Sequence, residues 1–317
     1  MIIGNATAAG FRRRVWLGMV AALAAVLLLP LLLDRPLSFC FYLMLWVTMA
    51  SAVNIMAGLT GYIPFGYVAF YGVGAYVTAV LVAKFGYPVP VALFASAAAG
   101  MACSVLFAPT LRLRGIYFSM VSLALAMICR LLVSEIPEDL SGGSFGLVLG
   151  PSNSPRAAYA VMLGVMVAAL AAAGRISSSR LGVALRAIRD NPMAAQVMGV
   201  DVAGVRLKAW VVAGLFPALT GGVEAWYTNL VDPDAAFNTL ISAKSLIFAI
   251  AGGLGTLTGP VVGSVVMVWV DDLVWQRFPL FNLFFLGAAI VGLMLFLPHG
   301  IVGSLIARRP RLRRFIP

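Results

Sequence analysis

The chain has 317 residues, of which 62% are apolar and 10% charged, and its formal net charge is +11. Soluble domains carry about 45–50% apolar and about 25% charged residues, and a globule in water could not hide this much apolar surface. The composition excludes an ordinary soluble enzyme, a disordered chain and a secreted disulfide scaffold, and it predicts an all-α polytopic membrane bundle with lipid as its outer solvent.

A helix crosses the hydrocarbon core with about 20 apolar residues. Arg12, Arg13 and Arg14 precede the first such run, 15–33, which is too long for a signal-peptide core and reads as an uncleaved span. Further runs follow at 37–57, 66–83, 89–111, 116–133 and 157–173. The run 207–231 contains Pro217, which predicts a bend or loosening because proline removes a backbone donor. The last three are 240–252, short enough to span or to be re-entrant, then 257–270 and 281–297. The expectation is therefore about ten crossings, some short or broken, in a single transmembrane domain over 1–317. Cys40, Cys103 and Cys129 lie inside apolar runs and read as core residues.

Lys and Arg favour the cytoplasmic side of short loops. With ten crossings and both termini inside, the inner segments hold 16 of the 22 basic residues, including the run 175–208, which contains the loop 175–206, and the tail 308–317. The outer loops then hold 8 of the 11 acids. The outer loop 134–156 carries Gly142, Gly143 and Ser144, and Asp232 and Asp234 lie in another outer loop. Glu224 falls inside a span, where an acid is costly and points to function. Its alternatives are snorkelling, or pairing with Lys244. His299 reads as an interfacial residue, and no metal site is expected.

The inner loop is the most informative segment. Leu181, Ala184, Leu185 and Ile188 recur at helical spacing, with Arg186, Arg189 and Asp190 off that stripe. Asn191 suits an N-cap and Pro192 a first helical position, so a second short helix over 192–198 is predicted, with Gly199 after its end. Two short amphipathic helices at an angle form either an interfacial hairpin or a knob that docks a cytoplasmic partner.

The pattern Gly182, Leu185-Arg186-Ala187-Ile188-Arg189, Asn191, Ala194-Ala195, Met198-Gly199 resembles the coupling loop of permease subunits in bacterial ABC importers. Four other blocks are similar to the LivM-type permeases of branched-chain amino acid importers. They are 54–76, with Gly58, Gly61, Gly66, Gly72 and Gly74; 113–124; 252–263, with Gly252, Gly253, Gly255 and Gly259; and 298–303. The chain departs from that family at Pro64-Phe65-Gly66-Tyr67, where Ser-Phe-Gly-His is usual.

The resemblance implies a permease subunit in the bacterial inner membrane. It implies a homologous sister permease, two cytoplasmic ATPases that bind ATP and Mg, and a periplasmic binding protein, with lipid as surroundings and no nucleic acid. Leu185, Arg186, Ile188, Arg189, Asp190, Asn191, Pro192 and Gly199 would couple to the ATPases. The glycines of the two blocks would form a gate or pathway, and Gly142, Gly143, Ser144, Asp232 and Asp234 would meet the binding protein. None of the three lysines, Lys84, Lys208 and Lys244, follows a glycine, so this chain carries no Walker A motif and would bind no cofactor itself. An ion-driven secondary transporter or channel is the alternative. A membrane enzyme is disfavoured, because no His/Asp/Glu cluster lies in the spans.

Overall fold

The computed structural model describes residues 37–113, 115–150, 154–277 and 300–308, with isolated positions 284, 287, 288 and 292. The expected span 15–33, most of 281–297, Arg12–Arg14, Arg114, His299 and the tail beyond 308 lie outside the described residues.

Eleven helices of more than one turn carry the description: α1 Leu37–Val53, α2 Tyr67–Ala83, α3 Val89–Leu106, α4 Ile116–Ser134, α5 Pro155–Ser178, α6 Arg180–Asp190, α7 Pro192–Val197, α8 Val202–Thr228, α9 Thr239–Gly252, α10 Gly259–Arg277 and α11 Gly300–Arg308. A π-turn, Asn54–Gly58, continues α1. One-turn helices occur at Glu138–Ser141 and Pro233–Ala236. The all-α expectation needs one small amendment. Leu147–Val148 (β1) pairs antiparallel with Leu230–Val231 (β2), a ladder too short to leave any alternation in the sequence.

Among the described residues, six helical segments are long and apolar enough to cross a membrane: Leu37–Gly58, Val89–Leu106, Ile116–Ser134, Pro155–Ser178, Val202–Thr228 and Pro233–Gly252. The 17-residue α2 is apolar but shorter. Alone, the 14 residues of α9 reach about 21 Å at about 1.5 Å per residue. The preceding turn extends the segment to 20 residues, enough for the hydrocarbon core.

Composition decides which helix sits where. The span of α1 is apolar all round, and 83% of its most apolar window is buried, so it lies at the centre. Only 22% of the α4 window is buried, and α4 turns Ile116, Tyr117, Met120, Leu131 and Leu132 outward. In a bilayer those side chains meet acyl chains at no cost. The most extensive packing is among α2, α3 and α8, with α9 against α10 and α1 bridging to α5, α8 and α10.

Small residues set the approach of α2, α3 and α8. A Cβ at Gly74 would collide with the carbonyl of Ala218, and one at Gly221 with the carbonyl of Tyr71. Transmembrane helices gain little from expelling water against each other, so close backbone packing and hydrogen bonds must hold them. Ser96 supplies one such bond, donating its hydroxyl to the Ala218 carbonyl at 2.8 Å. Pro217 does not interrupt α8, which runs unbroken for 27 residues. The missing donor is tolerated where neighbouring helices enclose the backbone, and Pro217 is buried there.

Candidate functional site

The segment 179–200 folds as its pattern predicts. The Ser179 hydroxyl accepts from the Gly182 N–H and caps α6, whose Gly182, Leu185 and Ile188 are buried. Asn191 Oδ1 accepts from the N–H groups of Met193 and Ala194 at 3.0 and 3.1 Å. Pro192 takes the first position of α7, where its missing N–H is no loss. Gly199 ends α7 at φ 85°. Its N–H donates to Gln196 and that of Val200 to Ala195, a Schellman motif that satisfies the terminal carbonyls. The result is a stiff elbow with Met193, Val197 and Met198 exposed on its second limb.

The two arginines of α6 do different things. Arg186 is exposed and donates to the Ser177 carbonyl at 3.1 Å, bracing the corner with α5. Arg189 reaches into the bundle and donates to the Gly58 carbonyl at 2.6 Å. Arg189 is exposed, as its place off the apolar stripe predicts, and the bond to Gly58 is what the pattern did not give. Asp190 is exposed at the end of α6.

Gly58 is also where the two glycine blocks meet. Asn54, buried in the π-turn, accepts from the Gly255 N–H at 2.7 Å and donates to the Thr256 carbonyl at 2.8 Å. A Cβ at Gly255 would lie 3.1 Å from an Arg189 guanidinium nitrogen, and one at Gly61 would lie 3.4 Å from Arg189 Cγ. Gly255 adopts φ 84° and Gly253 φ 117°, which side-chain-bearing residues rarely adopt. Gly252 and Gly259 are pressed against each other's loop, and Gly300 at the start of α11 packs on Gly253. Arg189, Asn54 and the loop 253–258 thus form one junction at the base of the elbow. The other three glycines of the first block serve packing instead: Gly66 lies on Ser122, Gly72 on the Phe237 ring and Gly74 on Ala218.

Sequence reasoning missed Asn54. Its signal was available, since a lone amide within an apolar run must find partners when buried. Of the alternatives held open for Glu224, pairing with Lys244 is not what the structure shows. Lys244 binds Asp271 at 2.9 Å, not Glu224, because α9 and α10 pack side by side. Glu224 instead hydrogen-bonds Tyr42.

Helix α8 is about 40 Å long at about 1.5 Å per residue, so Glu224 and the loop after it lie at the end of the bundle away from the elbow. Asp232 caps the Pro233–Ala236 turn through the Ala235 N–H at 2.7 Å, and Asp234 pairs with Arg130. Gly142 packs closely on the Gly146 carbonyl, and the Ser141 hydroxyl accepts from the Gly143 N–H at 3.1 Å. The Ser144 side chain lies outside the described residues. Among the described residues no cluster of three or more His, Cys, Asp or Glu could hold a metal ion.

A family model for the branched-chain amino acid transport system permease component matches residues 35–297. The chain is 27% identical over 330 aligned positions to the high-affinity branched-chain amino acid transport permease protein LivM of Escherichia coli K12, covering 93% of this chain and 76% of that one. It is 27% identical over 304 positions to LivM of Salmonella typhimurium, covering 85% and 70%. A shorter similarity, 27% over 172 positions (52% of this chain, 46% of the relative), relates it to the autoinducer 2 import system permease protein LsrC of Yersinia pseudotuberculosis. No solved structure gives a significant match.

Proposed function

The chain belongs to the family of branched-chain amino acid transport system permease components, and from that premise we propose that it is the transmembrane subunit of an ATP-driven amino acid importer. It forms the pathway with a homologous sister permease. Two ATPases, which bind ATP and Mg, drive it from the cytoplasm, and a periplasmic binding protein delivers the solute. The chain makes about ten crossings with both termini cytoplasmic, and it carries no ATPase of its own.

The observation that carries this reading is the elbow 179–200 and its tether. Two capped helices present Met193, Val197 and Met198 outward, an apolar ridge suited to a partner's groove. Arg189 ties the same elbow to the Gly58 carbonyl. Force applied at the ridge therefore reaches the glycine junction without crossing a flexible segment. The distribution of basic residues supports a cytoplasmic position for this end. At the other end, Gly142, Asp232 and Asp234 belong to the surface offered to the binding protein, with Gly143 buried beneath it.

The test uses sealed vesicles holding the chain with its ATPases and sister permease. Leucine delivered by the binding protein is expected to accumulate only when ATP is present on the ATPase side. A cysteine in Asp190→Cys is expected to label only from that same side. Accumulation by this chain alone, driven by an ion gradient, would overturn the proposal, as would labelling of position 190 from the opposite face.

A further inference from the structure

An acid within a membrane span is costly unless something compensates it. Glu224 sits in the last full turn of α8 and is half-buried. The one cation sequence reasoning offered it, Lys244, is held by Asp271. What Glu224 faces instead is a cavity of about 330 Å³ between α1, α2, α8 and the Pro233–Ala236 turn. Tyr42, Trp46 and Tyr71 supply aromatic walls, Ala75 and Ile241 aliphatic ones, and Asp232 stands in the lining beyond β2. No Lys, Arg or His is among the lining residues. The Tyr42 side chain hydrogen-bonds the Glu224 carboxyl and so fixes its direction.

This is a chamber with two carboxylates, aromatic faces and no cation in its lining; Lys244 lies 5.8 Å from the Trp46 ring but is held by Asp271. Such a lining favours a positively charged group of modest size, through charge-assisted hydrogen bonds and ring quadrupoles. Its volume is at the small end of the range for ligand pockets, and its apolar walls suit a short aliphatic tail. We propose that the Glu224 cavity is a solute-binding station of the pathway that holds the ammonium group of an amino acid, with Glu224 as the ammonium acceptor and Tyr42 as its positioning residue. The inference rests on the permease reading and makes that reading narrower.

The experiment is ATP-driven uptake of labelled leucine by the complete complex in vesicles, with ATP hydrolysis measured in the same samples. Glu224→Gln keeps the shape and removes the charge. It is expected to lower leucine moved per ATP hydrolysed about tenfold or more, the effect of losing one charge-assisted hydrogen bond. Glu224→Asp is expected to recover part of the loss. Ala75→Phe, which fills the cavity from α2, is expected to lower the same ratio with Glu224 intact. An unchanged ratio in Glu224→Gln would overturn the station and leave the permease reading standing. A parallel fall of uptake and hydrolysis in both variants would also overturn it, since that marks a structural role. Wild-type vesicles with no ATP-dependent leucine uptake would instead overturn the permease reading.

Discussion

Replacing Arg189 with alanine is expected to cut the solute moved per ATP hydrolysed about tenfold or more, while the chain still inserts and assembles. The guanidinium is the one side chain of the elbow that hydrogen-bonds the glycine junction, through the Gly58 carbonyl at 2.6 Å. Hydrogen bonds from charged donors contribute about 1.5–3 kcal/mol each, and about 1.4 kcal/mol is a factor of ten. The bundle itself does not depend on this bond, because α6 buries Leu185 and Ile188 regardless of it. Arg189→Lys keeps the charge but not the planar fork, and an intermediate ratio is expected. Uptake and hydrolysis measured together in vesicles check both variants. Wild-type coupling in Arg189→Ala would show that force reaches the pathway by another route.

Gly74→Val is expected to have the largest effect on folding. A Cβ at Gly74 meets the Ala218 backbone carbonyl, on the helix that α2 packs against most extensively. A flexible side chain could yield, but the backbone of α8 cannot without separating two helices. Overpacking costs typically about 1–3 kcal/mol, and a backbone obstacle places this variant at the upper end. Gly164→Ala is the matched control, because that glycine is exposed on α5 with nothing within 4 Å. Alanine there is expected to be neutral or to stabilise by about 0.5–1 kcal/mol through helix propensity. Thermal aggregation of the detergent-solubilised protein should show a midpoint many degrees lower for Gly74→Val and none of that shift for Gly164→Ala. Equal midpoints would refute the interlock of α2 with α8.

Local features were legible in the sequence because their causes are local. The capped ends of α6 and α7 follow from Ser179, Asn191, Pro192 and Gly199, each acting on backbone groups within a few residues. Apolar runs located the helices to within several residues, with the largest difference at the end of α10, which runs on to Arg277 past the predicted 270, and a smaller one at the end of α3, where a short 3₁₀ turn, Ala108–Arg112, takes over. Partners across the bundle were not legible. Asn54 and Thr256 are 202 positions apart, and Arg189 and Gly58 are 131 apart. Periodicity tells which face of a helix is apolar, but not which helix it meets. That is why Lys244 stood only as one alternative partner for Glu224, while its actual partner, Asp271, was not singled out. The glycine blocks were recognised as special, but their division of labour was not. Gly58, Gly61 and Gly255 gather around Arg189, whereas Gly66, Gly72 and Gly74 only pack.

The elbow and the glycine loop 253–258 therefore act as one body, pinned by Arg189 from one side and Asn54 from the other. A double-mutant cycle tests this most directly, with leucine transported per ATP hydrolysed measured in wild type, Arg189→Ala, Asn54→Ala and the double variant. If both residues serve one junction, the double variant is expected to fall no further than the worse single variant. Losses that multiply would mean that the two residues act independently, and the elbow would then not be fastened to the glycine loop in the way that transmission requires.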